Sequence, residues 1–361
     1  MKIAILGTRG IPNSYGGFEQ LAEDLSVALT KGGHELSVYQ SSTHPFKPNN
    51  FKGVNLVRCY DPSGMIGTAG QFIYDLNSLL HARKQKYDII LQLGYTSSSI
   101  WSFLLPQGVK IINHMDGLEW KREKYNSLTK SFLKFAERLA VESGDVLISD
   151  SPVISSYLEK TYSVKPVYIA YGAEIPLTPD ESILKNYGLS AQKYYLAIAR
   201  FEPENNPEAI IQGYLESGSE FPLMMIGSTK NRFGTLLKKK FENERIRFPG
   251  ALYAKAIIDS LRHYSLLYFH GHSAGGTNPS LLEAMAAGAN ICAHENPFNR
   301  AVLGEDALFF SSSSDIASIL KLFILTNEGA EMRKRNLEKI RNLHQPEFII
   351  NCYNNLFVTP I

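Results

Sequence analysis

The chain has 361 residues, with 37 Lys and Arg against 35 Asp and Glu for a formal net charge of +2. Hydrophobic residues make up 44% and charged residues 20%, a globular composition that excludes wholesale disorder. The balanced charge excludes a nucleic-acid partner recognised by charge alone, and the length favours two domains of ordinary size.

Residues 2–6 form a short apolar run of the kind that makes a buried parallel strand. The run is too short for a signal-peptide core and meets Thr8-Arg9-Gly10 at once, so no targeting segment is read there. A glycine-rich loop extends from Gly7 to Gly17. Phe18, Leu21, Ala22, Leu25, Ala28 and Leu29 then follow at helical spacing, stopped by Gly32-Gly33. A second strand at residues 36–39 completes a βαβ opening. Further strands are expected at residues 54–58, 89–93, 110–113, 146–149 and 167–170, with helices between them, among them 71–84 and 128–141. The polar, proline-containing stretch 171–180 marks the domain boundary.

A second alternating series follows, with strands expected at residues 194–199, 223–226, 246–248, 266–269, 290–293 and 307–310. The tail from Pro346 is apolar enough to pack as a last helix, and it is expected to return to the first domain. The predicted domains are 1–172, 173–345 and this tail, 346–361. No run of about 18 apolar residues is present, so no membrane-spanning helix is expected. Cys59, Cys292 and Cys352 lie far apart and match no zinc spacing. They suggest neither a metal site nor a disulfide framework, and a cytoplasmic, reducing location is expected.

The segment with the most chemistry runs from His270 to Gly288, as strand end, small-residue loop and helix. Asn278 suits the N-cap, Pro279 the first helical position and Gly288 the stop. Loop amides around Gly275, Gly276, Thr277 and Asn278, with the helix N-terminus, make an anion site, and the glycines let a diphosphate approach the backbone. Glu283, one turn in, is placed to accept hydrogen bonds from the hydroxyls of a ribose. The plainer alternative is a capped helix with a solvent-facing glutamate. Gly16 and Gly17 open the first helix and offer amides to a diphosphate, with Arg9 as a nearby cation. The spacing there is not Gly-x-Gly-x-x-Gly, so a dinucleotide site is disfavoured.

These segments together resemble the retaining glycosyltransferases of family 4, which have the GT-B fold. Their pattern of Glu-Gly-Phe-Gly followed by Leu-Glu-Ala-Met-Ala-x-Gly is similar to the loop and helix ending in Leu282-Glu283-Ala284-Met285-Ala286-Ala287-Gly288. Arg200-Phe201-Glu202-Pro203-Glu204-Asn205-Asn206 resembles the second signature. Gly7 to Pro12, Tyr15 to Glu19 and Asp116 to Arg122 narrow the resemblance to a bacterial rhamnosyltransferase-like subgroup of surface-polysaccharide synthesis. The implied architecture is two Rossmann-like α/β domains facing each other across a cleft, donor on the C-terminal domain and acceptor on the N-terminal one.

The resemblance implies a nucleotide-sugar donor, dTDP-rhamnose or alternatively a UDP- or GDP-sugar, with no metal and no other cofactor. The implied acceptor is a saccharide linked to polyprenyl diphosphate. Asp116 occupies the place of a donor- or acceptor-facing residue, with His114 the competing assignment. Arg200 would stabilise leaving-group charge, Trp120 would stack on a sugar, and Lys121 or Arg122 would meet an acceptor phosphate. Lys130, Lys134 and Arg138 fall on one helical face, with Lys121, Arg122 and Lys124 just before it, and this basic face could rest on anionic lipid at the inner face of the membrane. Two positions depart from the family pattern. Gly275 stands where a glutamate is usual, and Asn205 and Asn206 stand where a lysine is usual. Those departures keep a catalytically silent binding partner open; the other rival, a nucleotide-sugar epimerase, would need acid-base carboxylates near the sugar carbon, and Gly275 offers none there.

Overall fold

The structure, a computed structural model, describes residues 1–14, 16–122, 125–241, 243–322 and 328–359; Tyr15 and Lys124 lie outside the described residues. The chain divides into two compact units, Met1–Tyr171 with Pro346–Ile361, and Gly172–Gln345.

The first unit is built on eight strands: β1 (Lys2–Leu6), β2 (Glu35–Ser41), β3 (Asn50–Phe51), β4 (Val54–Cys59), β5 (Ile89–Leu93), β6 (Lys110–His114), β7 (Val146–Ser149) and β8 (Val167–Tyr168). Their order is β3-β4-β2-β1-β5-β6-β7-β8, parallel except for β3, which pairs antiparallel with β4. Apart from the exposed Lys2 at the start of β1, the strands β1 and β5 are buried along their length, which is why they read as nearly continuous apolar runs. Ala4, Leu6, Tyr39, Tyr74, Ile90 and Ile111 pack together in its core. The helix Ser127–Ser143 starts where Asn126 accepts the Thr129 amide at 2.9 Å. The last helix, Pro346–Val358, belongs to this unit. It buries Ile349, Tyr353 and Phe357, and the Lys110 ammonium donates to the carbonyls of Leu356 (2.8 Å) and Thr359 (2.6 Å).

The second unit carries six strands, all parallel: β9 (Tyr195–Ile198), β10 (Leu223–Ile226), β11 (Ile246–Gly250), β12 (Leu267–His270), β13 (Ile291–His294) and β14 (Leu308–Phe310). Their order is β11-β10-β9-β12-β13-β14. Tyr195, Phe201, Ile211, Leu223 and Phe269 lie in one apolar core. The chain therefore folds as two Rossmann-like units, each an α/β parallel sheet. The strands differ from the sequence reading at two places. The strand expected at residues 167–170 is only two residues long, and β3, too short to show any periodicity, is absent from the sequence reading. No described helix is long and apolar enough to cross a membrane.

Candidate functional site

In the second unit the strand order reverses between β9 and β12, the place where open α/β sheets bind ligands beyond the carboxyl ends of their strands. The loops after these two strands carry the residues singled out in the sequence. Arg200 follows β9 and is exposed. Residues 271–278 follow β12 and lead into the helix Pro279–Ala286.

The two loops are tied together by the residues that depart from the family pattern. Asn205, buried, donates from Nδ2 to the Arg200 carbonyl at 2.6 Å, and Asn206 donates to the Gly271 carbonyl at 2.8 Å. The Ser273 amide and hydroxyl both donate to the Glu204 carbonyl, at 3.0 and 2.9 Å. The backbones approach so closely that a Cβ on Gly271 would sit 2.0 Å from the Asn205 carbonyl oxygen. A lysine at 205 would lose this bond and bury its charge. Gly275 has φ +117°, a conformation L side chains rarely adopt. A side chain at that position, a glutamate included, would be strained by the backbone although nothing lies within 4 Å of its Cβ.

Asn278 caps the following helix by accepting the Ser280 amide at 2.9 Å, with Pro279 in the first turn. The cap occupies one of the helix-start amides counted toward the anion site. Gly276 and Asn278 are partly buried and Thr277 is buried. The Glu283 side chain is 44% exposed, and its Oε2 accepts from Arg262 Nη2 at 2.7 Å. Arg262 is the largest fully buried side chain of the second unit. Burial works against its charge, but Glu283, Tyr268 and Asp259 more than offset that and hold it protonated. His270 and His272 stack with ring centroids 4.8 Å apart. Burial, reinforced by the neighbouring His272 and Arg262, keeps His270 neutral well below the usual imidazole range.

In the first unit the corresponding loops follow β1, β5 and β6. Gly16 caps the helix Gly17–Lys31 in an extended conformation without a side-chain partner. Buried Glu19 accepts the Arg9 amide at 2.8 Å. The Arg9 guanidinium pairs with Asp61 at 3.0 Å and reaches Ser63 at 3.4 Å. Burial would raise the Asp61 carboxyl, but bonds from Ser41 and Ser63 and the Arg9 charge bring it below its ordinary value.

Asp116 lies just past β6 with φ 31°, left-handed for a non-glycine residue. Burial raises its carboxyl above the usual range, against the Gly117 amide and Arg122, which lower it. The Asp116 amide faces Nδ1 of His114 at 3.4 Å. His114 is buried against Phe18 (5.2 Å between ring centroids) and Tyr171 (6.0 Å), and burial drives its pKa to about 3. The structure thus brings both candidates for this position to one strand end.

Trp120 and Lys121 lie in the short turn Glu119–Lys121, and Arg122 follows it in an extended conformation. The indole N–H donates to Glu137 at 3.3 Å, and the Lys134 ammonium lies 4.2 Å from the ring centre. One face of Trp120 is therefore taken by the unit's own cation rather than left open for a sugar. Arg122 pairs with Glu119 at 2.5 Å. Lys121 is exposed, 5.5 Å from the Trp120 ring. On the basic face, Arg138 pairs with Glu142 at 2.7 Å. Glu137, missed in the sequence, is the hub of this region. It is 1% exposed, and it accepts from Tyr95, Trp120, Tyr157 and Tyr162.

Residues 1–174 match the family model of a domain of unknown function, DUF1972, and residues 180–342 match that of glycosyl transferases group 1. No curated protein sequence matches the chain. Among solved structures, sucrose-phosphate synthase from Thermosynechococcus elongatus superposes with a TM-score of 0.80 at 17% identity, over 99% of this chain and 98% of that one. HepE of Anabaena in complex with UDP-glucose gives 0.75 at 14% identity over 99% of both chains. The trehalose 6-phosphate synthase of Burkholderia multivorans gives 0.72 at 12%, over 98% of this chain and 97% of that one. Likeness at these identities is likeness of fold, and the fold is GT-B.

Proposed function

Since residues 180–342 form a glycosyl transferases group 1 domain on a GT-B chain, we propose that the protein transfers a sugar from a nucleoside diphosphate donor with retention of configuration. One observation carries the reading. Arg200, the loop 271–278 and Glu283 gather at the switch point of the second sheet, and Glu283 is half-exposed with its carboxylate fixed by a buried guanidinium. That set matches a nucleoside diphosphate. Arg200 and the amides of Gly275, Gly276, Thr277 and Asn278 suit the diphosphate, and Glu283 suits a sugar hydroxyl of the nucleoside.

The HepE structures in complex with UDP and with UDP-glucose support a nucleotide-sugar donor. The sequence resemblance to family 4 and its rhamnosyltransferase-like subgroup favours dTDP-rhamnose over a UDP- or GDP-sugar. It also favours a saccharide on polyprenyl diphosphate as acceptor, at the inner face of the cell membrane, with the first unit as acceptor domain. Leaving-group charge falls to Arg200 and the loop amides without a metal. The diphosphate then assists deprotonation of the acceptor on the same face as departure. Asp116 is the first unit's candidate at the reacting groups, Lys121 and Arg122 its candidates for an acceptor phosphate, and Gly16 and Gly17 offer amides to the donor.

A thermal-shift screen against UDP, GDP, dTDP and their sugars tests this, because a ligand of the folded state alone raises the melting temperature. The expected result is a shift with dTDP-rhamnose that Glu283→Ala abolishes, and rhamnosyl transfer to a lipid-linked acceptor. A shift with another nucleotide keeps the site and replaces the sugar. No shift with any of them, with or without acceptor, replaces transfer by a silent binding role. A new nucleotide sugar formed without acceptor means an epimerase.

A further inference from the structure

We infer that Arg262 is a positioning residue that sets Glu283 for its ligand, an inference that rests on the donor-site reading above. Four charges alternate in sign along this part of the second unit. The Lys255 ammonium meets Asp259 at 2.7 Å, Asp259 faces Arg262 at 3.7 Å, and Arg262 meets Glu283 at 2.7 Å. Arg262 is 2% exposed, and it also donates to the Ser280 hydroxyl at 2.9 Å and lies 5.8 Å from the centre of the Tyr268 ring. Burying a guanidinium is costly, and the cost is met only where geometry and partners are well matched. Here the matched partners sit on the helix Pro279–Ala286 (Ser280 and Glu283), directly after the loop of the site.

The consequence is specific. A free glutamate one turn into a helix samples several rotamers and loses that freedom on binding. With Oε2 held by Arg262, the carboxylate is fixed beforehand, and Oε1 is the oxygen with both lone pairs for a nucleoside hydroxyl. At 2% exposure Arg262 is itself closed off from a ligand. Its effect reaches the ligand only through the carboxylate it holds.

Calorimetric titration separates this role from a merely structural one. The probes are dTDP and its 3′-deoxy analogue, or UDP and 3′-deoxy-UDP if the screen selects uridine, against wild type, Arg262→Lys, Arg262→Gln and Glu283→Ala. In wild type, removing the hydroxyl is expected to weaken binding roughly tenfold, the loss of one charge-assisted hydrogen bond. In Arg262→Gln that penalty should shrink to about twofold, with Arg262→Lys between. An undiminished hydroxyl penalty in folded Arg262→Gln, or in Arg262→Lys should the glutamine variant not fold, overturns the inference. Binding indifferent to Glu283→Ala overturns the donor-site reading itself, and the two failures are told apart by which variant leaves the penalty unchanged.

Discussion

A buried histidine that stays neutral ties the chemistry at the end of β6 to pH. His114 has a pKa near 3 in the fold because burial disfavours the imidazolium, against about 6.5 in an unfolded chain. Between those values the unfolded state holds the extra proton. Stability therefore rises with pH across the window and is lost as pH falls from about 6.5 toward 3. The contribution is at most about 1.4 kcal/mol per pH unit. His114→Phe should flatten the acid limb of chemical-denaturation stability measured from pH 7 to pH 4. Parallel limbs for wild type and variant would show that the imidazole titrates freely in the fold. Asp116, whose carboxyl is raised, works in the opposite sense, so the comparison with the variant is the informative one. At the same scale, Arg262 and Glu137 share a signature. Each follows an apolar residue at i−4 and another position at i−1 on the buried face of its helix: Ile258 and Leu261 for Arg262, Leu133 and Ala136 for Glu137. A charged residue in the buried phase of an amphipathic pattern is visible in sequence. The partner that makes it tolerable is not.

At the scale of elements, the site of the second unit is two loops clamped by side-chain amides. Asn206 has φ 49°, left-handed, and its amide spans to the Gly271 carbonyl. Asn206→Ala loses both the residue type that tolerates this conformation and the loop-to-loop bond, at a cost of about 1–2 kcal/mol. Its melting temperature should fall and nucleotide binding should weaken together. A loss of stability with unchanged binding would detach the clamp from the site. The same geometry explains why Asn205 and Gly275 looked anomalous beside the family pattern. The sequence shows which residue is missing. Only the folded loop shows that Asn205 joins two stretches of backbone and that Gly275 takes a conformation other residues rarely adopt.

At the scale of the molecule, the tail is part of the first unit although it follows the second in sequence. Ile349, Tyr353 and Phe357 are each at most 4% exposed, and full burial of such side chains contributes roughly 1.5–3 kcal/mol apiece. Against a total stability of about 5–15 kcal/mol for a domain, truncation after residue 345 should unfold the first unit or lower its melting temperature steeply while the second unit keeps its own transition. An unchanged melt of the truncated chain would mean that this helix is dispensable to the unit.

The sequence by itself determined what depends on near neighbours along the chain. The apolar runs of the central strands, the Asn278 cap with Pro279 behind it and the alternation of strand and helix are local patterns, fixed by spacing and backbone preference, and they are enough to read two Rossmann-like units. β3 escaped because two residues carry no periodicity. The tertiary structure alone decided which charges meet. Arg9 reads as a free cation until Asp61 is seen beside it, and Trp120 reads as an open platform until Lys134 and Glu137 take hold of it. Glu283 reads as a lone carboxylate until the buried Arg262, 21 residues earlier, is seen to hold it. The cause is common to all three. Partners brought together by packing can lie anywhere in the sequence, so the charge that remains for a ligand is set only when the chain has folded.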